Sequence, residues 1–198
     1  MGLDRHSWRI LNGHGSAILW LTGLPAAGKS TLARTLEAAL RDLLVRSVVL
    51  DGDELRLGLN KDLGFAPADR SENIRRAGEV ARLFIDSGLF VIAAFVSPYQ
   101  KDRDAVRGLV KPGEFVEIHV RCDLQTCQAR DPKGLYRRAR QGELLHLTGM
   151  DAPYEEPACP ELIVDTQHQD EQASTQAILD YLKNHFSIGG SPELWSTS

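Results

Sequence analysis

Gly23-Leu24-Pro25-Ala26-Ala27-Gly28-Lys29-Ser30, with Thr31 behind it, is the stretch whose residue types and spacing can most directly do chemistry. The pattern is GxxxxGK[ST]. Gly23 and Gly28 permit the backbone turn that points successive N–H groups at one anion. A helix opening near Lys29 adds its positive end to that cradle. Lys29 can reach the outer phosphates, and the Ser30 hydroxyl suits Mg²⁺. A chance glycine turn would show the same letters, so the setting decides. The apolar run Ala17–Leu21 precedes the motif as a short buried strand, and Leu32, Leu36, Ala39, Leu40 and Leu43 follow at helical spacing. The stretch is expected to bind a nucleoside triphosphate.

Asp51 and Asp53 form a second constellation, flanking Gly52 just after the apolar run Ser47–Leu50. On an extended segment, positions i and i+2 face the same side. One carboxylate could organise Mg²⁺ while the other takes a proton from an attacking hydroxyl. A third is basic: Arg130, Lys133, Arg137, Arg138 and Arg140 stand against Asp131 within residues 130–140. Such a segment, flanked by Gly134 and Gly142, reads as a lid that closes over phosphates, stabilises developing charge and excludes water. Arg70, Asn73, Arg75 and Arg76 crowd one helical stretch. Phe65, in a Gly/Ala/Pro loop, is better placed to stack on a base than to fill a core.

The elements that must position these groups alternate. Leu89–Val96, almost wholly apolar, is expected to be a central strand, with Ser97-Pro98-Tyr99 at its C-terminal end. Phe115–Arg121 and Glu161–Asp165 supply two more strands. Asp69 with Glu72 reads as a capping box before a face of Ile74, Ala77, Ala81 and Phe84. Helices are further expected over residues 101–110, 123–130 and 135–142 and around Ala173–Leu182, while Leu144–Pro160 shows few periodic signals. Strands alternating with helices predict a three-layer α/β domain with a mostly parallel five-stranded sheet, whose ligands bind at the strands' C-terminal edge. Residues 1–15 read as a loose arm, 16–186 as the domain with its lid at about 130–150, and 187–198 as a flexible tail.

At 198 residues, 42% hydrophobic and 25% charged, the chain suits one soluble domain. A net charge of −4 argues against a general nucleic-acid or membrane-surface binder. The charge is uneven: from Asp151 onward there are nine acids and only Lys183. Cys122, Cys127 and Cys159 lack CxxC spacing and fit reduced thiols, hence a cytoplasmic setting. The N-terminus lacks a basic-then-apolar signal pattern, and no apolar run is long enough to span a membrane.

With these stretches collected, the chain resembles the adenylylsulfate kinases (APS kinases). The likeness rests on GLPAAGKS at 23–30, DGDELRLGLN at 51–60, DLGFAPADRSENIRR at 62–76, FVSPY at 95–99, RDPKGLYRRARQGE at 130–143 and TGMDAPYEEP at 148–157. It spans about residues 16–183 in the family's order. The resemblance implies a P-loop kinase fold and transfer of the ATP γ-phosphate to the ribose 3′-hydroxyl of adenosine 5′-phosphosulfate. By that resemblance, Gly23, Leu24, Pro25, Ala26, Ala27, Gly28, Lys29, Ser30 and Thr31 hold ATP, with Ser30 and Asp51 at Mg²⁺ and Arg130 near the ATP adenine. Asp53 is the implied base. Arg56, Arg70 and Asn73 meet the phosphosulfate, Phe65 stacks on the acceptor adenine, and Val96, Ser97 and Leu147 line that site. Lys133 and Leu135 reach it from the lid, and Ser97 matches the serine for which a phosphoserine intermediate has been proposed in the family. Pro25-Ala26 stands where the family has Ser-Gly, Glu54 where it has Asn, Leu57 where His is common, and Leu147 where Phe is usual. A homodimer and a sulfate adenylyltransferase as functional partner are implied as well. Two other readings stay open: a different small-metabolite kinase, and a non-catalytic nucleotide-binding domain. Intact Lys29, Ser30, Asp51 and Asp53 speak against the second.

Overall fold

The computed structural model describes residues 4–188. Five strands, β1 (Ile18–Thr22), β2 (Ser47–Asp51), β3 (Phe90–Ala94), β4 (Phe115–Arg121) and β5 (Leu162–Asp165), form one sheet in the order β2-β3-β1-β4-β5. All four pairings are parallel. The middle strand is therefore β1, with β3 beside it rather than at the centre.

Continuous apolar runs are what a parallel sheet covered on both faces requires. In β1, Leu19 and Leu21 point to one face, which is covered by α2 (Lys29–Asp42) and α8 (Glu171–His185). Ile18 and Trp20 point to the other, against α4 (Pro67–Asp86) and α5 (Gln100–Arg107). Helix α2 buries Leu32, Ala33, Leu36 and Leu40, which is the helical periodicity read in the sequence. The remaining helices are α1 (Arg5–Asn12), α3 (Gly52–Leu57), α6 (Leu124–Arg130) and α7 (Leu135–Arg140).

Residues 4–15 are not loose: α1 is capped by Asp4, whose side chain accepts from the Ser7 N–H at 2.8 Å, and ends at Gly13 with φ 69°. Arg5 then pairs with both Asp86 and Glu114, and Asn12 Nδ2 donates to the Gly88 carbonyl at 3.0 Å, so the helix is docked. Asp69 and Glu72 form no capping box. Helix α4 already begins at Pro67, where proline's fixed φ suits a first helical position. Asp69 accepts instead from the Gly64 N–H, and Glu72 pairs with Arg75 and Arg76. Of the expected tail, Ile188 is buried against the core, and residues 189–198 lie outside the described residues.

Candidate active site

The P-loop takes its shape from two backbone constraints. Gly28 caps α2 at φ 93°, a conformation open to glycine. At Gly23 a Cβ would sit inside contact distance of the Val120 carbonyl oxygen, so only glycine lets the loop pass β4 that closely. Ala26 adopts φ 64°, a left-handed backbone that ordinarily disfavours a side chain.

Lys29 is 8% exposed, and its Nζ donates to the carbonyls of Gly23 at 2.9 Å and Leu24 at 2.7 Å. Loss of water pushes its pKa down to about 8 from 10.5, with Cys127, Asp51 and Asp53 pulling the other way. Ser30 Oγ donates to Asp51 Oδ2 at 2.6 Å. This ties the first turn of α2 to the end of β2, two elements that the sheet order places at one edge.

Asp51 and Asp53 do not share an extended segment. Asp51 ends β2 and caps α3 by accepting from the Asp53 N–H at 2.9 Å, which puts Asp53 in that helix's first turn. The two carboxylates consequently face different surroundings. Asp51 is buried, whereas Asp53 is exposed and pairs with Lys133 across eighty positions of sequence.

A cleft of about 880 Å³ runs along this edge. Pro25, Ala26, Gly28, Lys29, Ser30 and Thr31 line one part of it, together with Arg130. Arg56, Phe65, Arg70, Asn73, Val96 and Ser97 line another, with Asp51 and Asp53 on the same wall, Lys133 and Leu135 contributed by the basic segment around α7, and Leu147 by the stretch that follows it. Gly23, Leu24 and Ala27 shape the loop from behind and do not line the cleft. Arg75 and Arg76 point away, held by Glu72 and Asp62.

Two sets of lining groups inside one cleft suit a group-transfer enzyme. Residues 15–165 match the family described as Adenylylsulphate kinase. The chain belongs to the adenylylsulphate kinase family. It is similar to the adenylyl-sulfate kinase of Geotalea uraniireducens (strain Rf4), 55% identical over 179 residues, 90% of this chain and 86% of that one. The adenylyl-sulfate kinase of Oceanobacillus iheyensis is 56% identical over 174 residues, 88% of this chain and 87% of its own. Among solved structures, an APS kinase of Mycobacterium tuberculosis in complex with AMPPNP and APS matches with a TM-score of 0.82 and 40% identity. That match covers 85% of this chain and 98% of that one. The protein is thus a P-loop kinase.

In this kinase the end of the cleft around Phe65 is built from residues that also hold one another. Arg56 donates to the Leu63 and Gly64 carbonyls and lies 4.3 Å over the Phe65 ring. Phe65 is 48% exposed and lines the cleft, with the Arg56 guanidinium over its ring and that of Arg70 at 5.6 Å from the ring centre. Arg70 donates to the carbonyls of Phe65 and His146, joining α4 to the segment after α7. Burial lowers the pKa of both arginines. Asn73 is buried, its Oδ1 accepting from Asn60 Nδ2 at 3.0 Å. Arg130 donates to the Thr166 hydroxyl and carbonyl.

The basic segment around α7 carries an apolar side that its charges hid in the sequence. Tyr136 is fully buried, its hydroxyl donates to the Pro25 carbonyl at 3.1 Å, and Leu135 and Ala139 pack on the core. Asp131 accepts from the N–H groups of Tyr136 and Arg137 and so starts α7. Arg138 of the basic run and Thr148 of the TGMDAPYEEP stretch also line the cleft, as does Ser174, which no motif in the sequence marks. Cys122 and Cys127 are buried and free, Cys159 is exposed and free, and burial pushes the Cys127 thiol up to about 12. No helix among the described residues is long and apolar enough to cross a membrane.

Proposed function

We propose that this kinase transfers the γ-phosphate of ATP to the 3′-hydroxyl of adenosine 5′-phosphosulfate, releasing ADP and 3′-phosphoadenosine 5′-phosphosulfate. The observation that carries this reading is one continuous cleft. It joins a P-loop lysine and serine to an acceptor wall of Phe65, Arg56, Arg70 and Asn73, with the exposed carboxylate of Asp53, paired with Lys133, on the shared edge. Adenosine 5′-phosphosulfate offers a base for Phe65 and an anion for the two arginines, and the Mycobacterium tuberculosis relative binds APS.

The roles follow from chemistry. The loop N–H groups and Lys29 hold the ATP phosphates, and Thr31 and Arg130 border the nucleotide. Among the described residues no cluster of three or more His, Cys, Asp or Glu side chains exists to cage a metal. The Ser30–Asp51 pair instead fits Mg²⁺ bound mainly through phosphates and water. When bound, the ion neutralises charge on the β- and γ-phosphate oxygens. Asp53 takes the proton of the 3′-hydroxyl as the new O–P bond forms and the bond from the γ-phosphorus to the β,γ-bridging oxygen breaks. Lys133, paired with Asp53 in the described structure, would follow the lid onto substrate.

Ser97 positions the acceptor and is not a phosphoryl carrier. Its Oγ donates to Thr22 Oγ1 at 2.9 Å and accepts from Trp20 Nε1 at 3.1 Å, so no base stands ready to activate it. Transfer in one direct, in-line step follows. Leu147 lines the acceptor site where the family has Phe, which leaves Phe65 as the aromatic contact. A cytoplasmic homodimer that draws its acceptor from a sulfate adenylyltransferase completes the proposal. ADP release with and without adenosine 5′-phosphosulfate tests it, with gluconate and adenosine as alternative acceptors. Release that ignores adenosine 5′-phosphosulfate would overturn the reading.

A further inference from the structure

Arg103 is 0% exposed and lies outside the cleft, yet it bonds to two of the segments that form the acceptor wall. Its Nε donates to Glu117 Oε1 at 2.6 Å on β4. Nη1 donates to the Ser97 carbonyl at 2.7 Å, and Nη2 to Gln100 Oε1 at 2.6 Å and the Glu155 carbonyl at 2.8 Å. Glu117 also faces Arg107, which pairs with Glu161, so two cations meet two carboxylates and the buried charge is balanced.

A buried ion pair is a poor way to gain stability, because desolvation offsets most of the attraction. What a guanidinium does that an apolar side chain cannot is hold carbonyls from separate segments in a fixed fork. The two carbonyls here are telling. Ser97 sits at φ 39°, a left-handed backbone in a residue with a side chain, which persists only where the surroundings enforce it. Arg103 holds its carbonyl while Trp20 and Thr22 hold its hydroxyl.

Glu155 belongs to the strap that crosses from the lid to β5. Its N–H donates to the Pro98 carbonyl at 2.8 Å, and its Oε2 accepts from the Gln100 N–H at 2.7 Å. One residue earlier, the Tyr154 hydroxyl meets Thr22 Oγ1 at 3.1 Å. The strap is thus fastened to the turn after β3 at several points, with Arg103 at the hub. Val96, Ser97 and Pro98 line the cleft from that turn, and Leu147 and Thr148 line it from the strap.

We propose that Arg103 is a positioning residue for the acceptor nucleotide: through the Ser97 and Glu155 carbonyls it sets the spacing of the turn and the strap, without touching either substrate. The inference rests on the reading that this end of the cleft takes adenosine 5′-phosphosulfate. Its effect falls mainly on the acceptor, because none of the four residues that Arg103 bonds, Glu117, Ser97, Gln100 and Glu155, lies in the P-loop.

Arg103→Lys keeps the charge but loses the fork, and Gln100→Met removes one partner that orients the guanidinium while leaving Arg103 in place. In Arg103→Lys the KM for adenosine 5′-phosphosulfate is expected to rise by about tenfold or more, with the KM for ATP and kcat within about twofold of the parent. Gln100→Met is expected to raise the same KM by about threefold. Should Arg103→Lys fail to fold, Gln100→Met decides alone. Equal rises in both KM values, a fall in kcat alone, or no change in either variant overturns the proposal. An unaltered enzyme that does not consume adenosine 5′-phosphosulfate overturns the functional reading and this inference with it, whereas normal turnover with any of those three patterns overturns this inference only.

Discussion

Lys29 carries its charge where charge is disfavoured, and that makes nucleotide binding depend on pH in a calculable way. The ammonium is buried, and its pKa falls from 10.5 to about 8 through desolvation. That gap corresponds to about 3 kcal/mol by which the empty site penalises the charged form. Between pH 8 and 10.5 the unfolded chain keeps a proton that the folded chain sheds. This group's contribution to stability therefore improves as pH rises through that window, and below about 8 the penalty is felt in full. Binding has the opposite sign. A polyphosphate favours the ammonium, so above about pH 8 the site must take up a proton to bind, and affinity falls by about tenfold per pH unit. From pH 7 to 9.5 the loss is about thirtyfold. Calorimetry of Mg-ADP binding in buffers of different ionisation enthalpy reads both the affinity and the proton uptake, which approaches about one per site at pH 9.5. Lys29→Met should bind about 1.5–3 kcal/mol more weakly at pH 7 and show no such slope. A flat affinity in the unaltered enzyme, or an equal slope in the variant, would refute the argument.

Three further outcomes are expected. Gly23→Ala pushes a Cβ into the Val120 carbonyl, a backbone atom that cannot step aside, and should lower unfolding free energy by about 2 kcal/mol or more in urea; an unchanged midpoint contradicts the close approach. Asp53→Asn should reduce kcat by about a hundredfold or more, and Ser97→Ala by about tenfold or less, with inversion at phosphorus; retention, or a phosphoserine turning over at the catalytic rate, rules out direct transfer. Residues 130–150 should exchange amide hydrogens more slowly once both nucleotides are bound, and Lys133→Met, which breaks the pair with Asp53, should speed exchange in the empty enzyme; equal protection throughout would make the segment a static face.

Sequence alone determined the phosphate site, because everything that makes it is contiguous. A buried strand, a glycine turn and the amphipathic face of α2 follow one another, and each has a local signature in period or composition. β3 was legible as an unbroken apolar run and β2, β4 and β5 as short, largely apolar stretches, although Glu117 and His119 interrupt β4, and the motif series pointed to the family. Local reasoning failed where local options compete. Pro67 opened α4 and left Asp69 to bond Gly64, and Asp51 ended a strand and capped a helix, so that it and Asp53 could not share one extended face. The docking of α1 needed Asp86 and Glu114, carboxylates on elements far along the chain. The Lys133–Asp53 pair, the buried Tyr136 under a basic helix, and the Arg103 hub at Ser97 and Glu155 belong to tertiary structure alone. They join residues that become neighbours only through the order β2-β3-β1-β4-β5, an arrangement set by how crossover helices cover both faces of the sheet and carried by no local period of the chain.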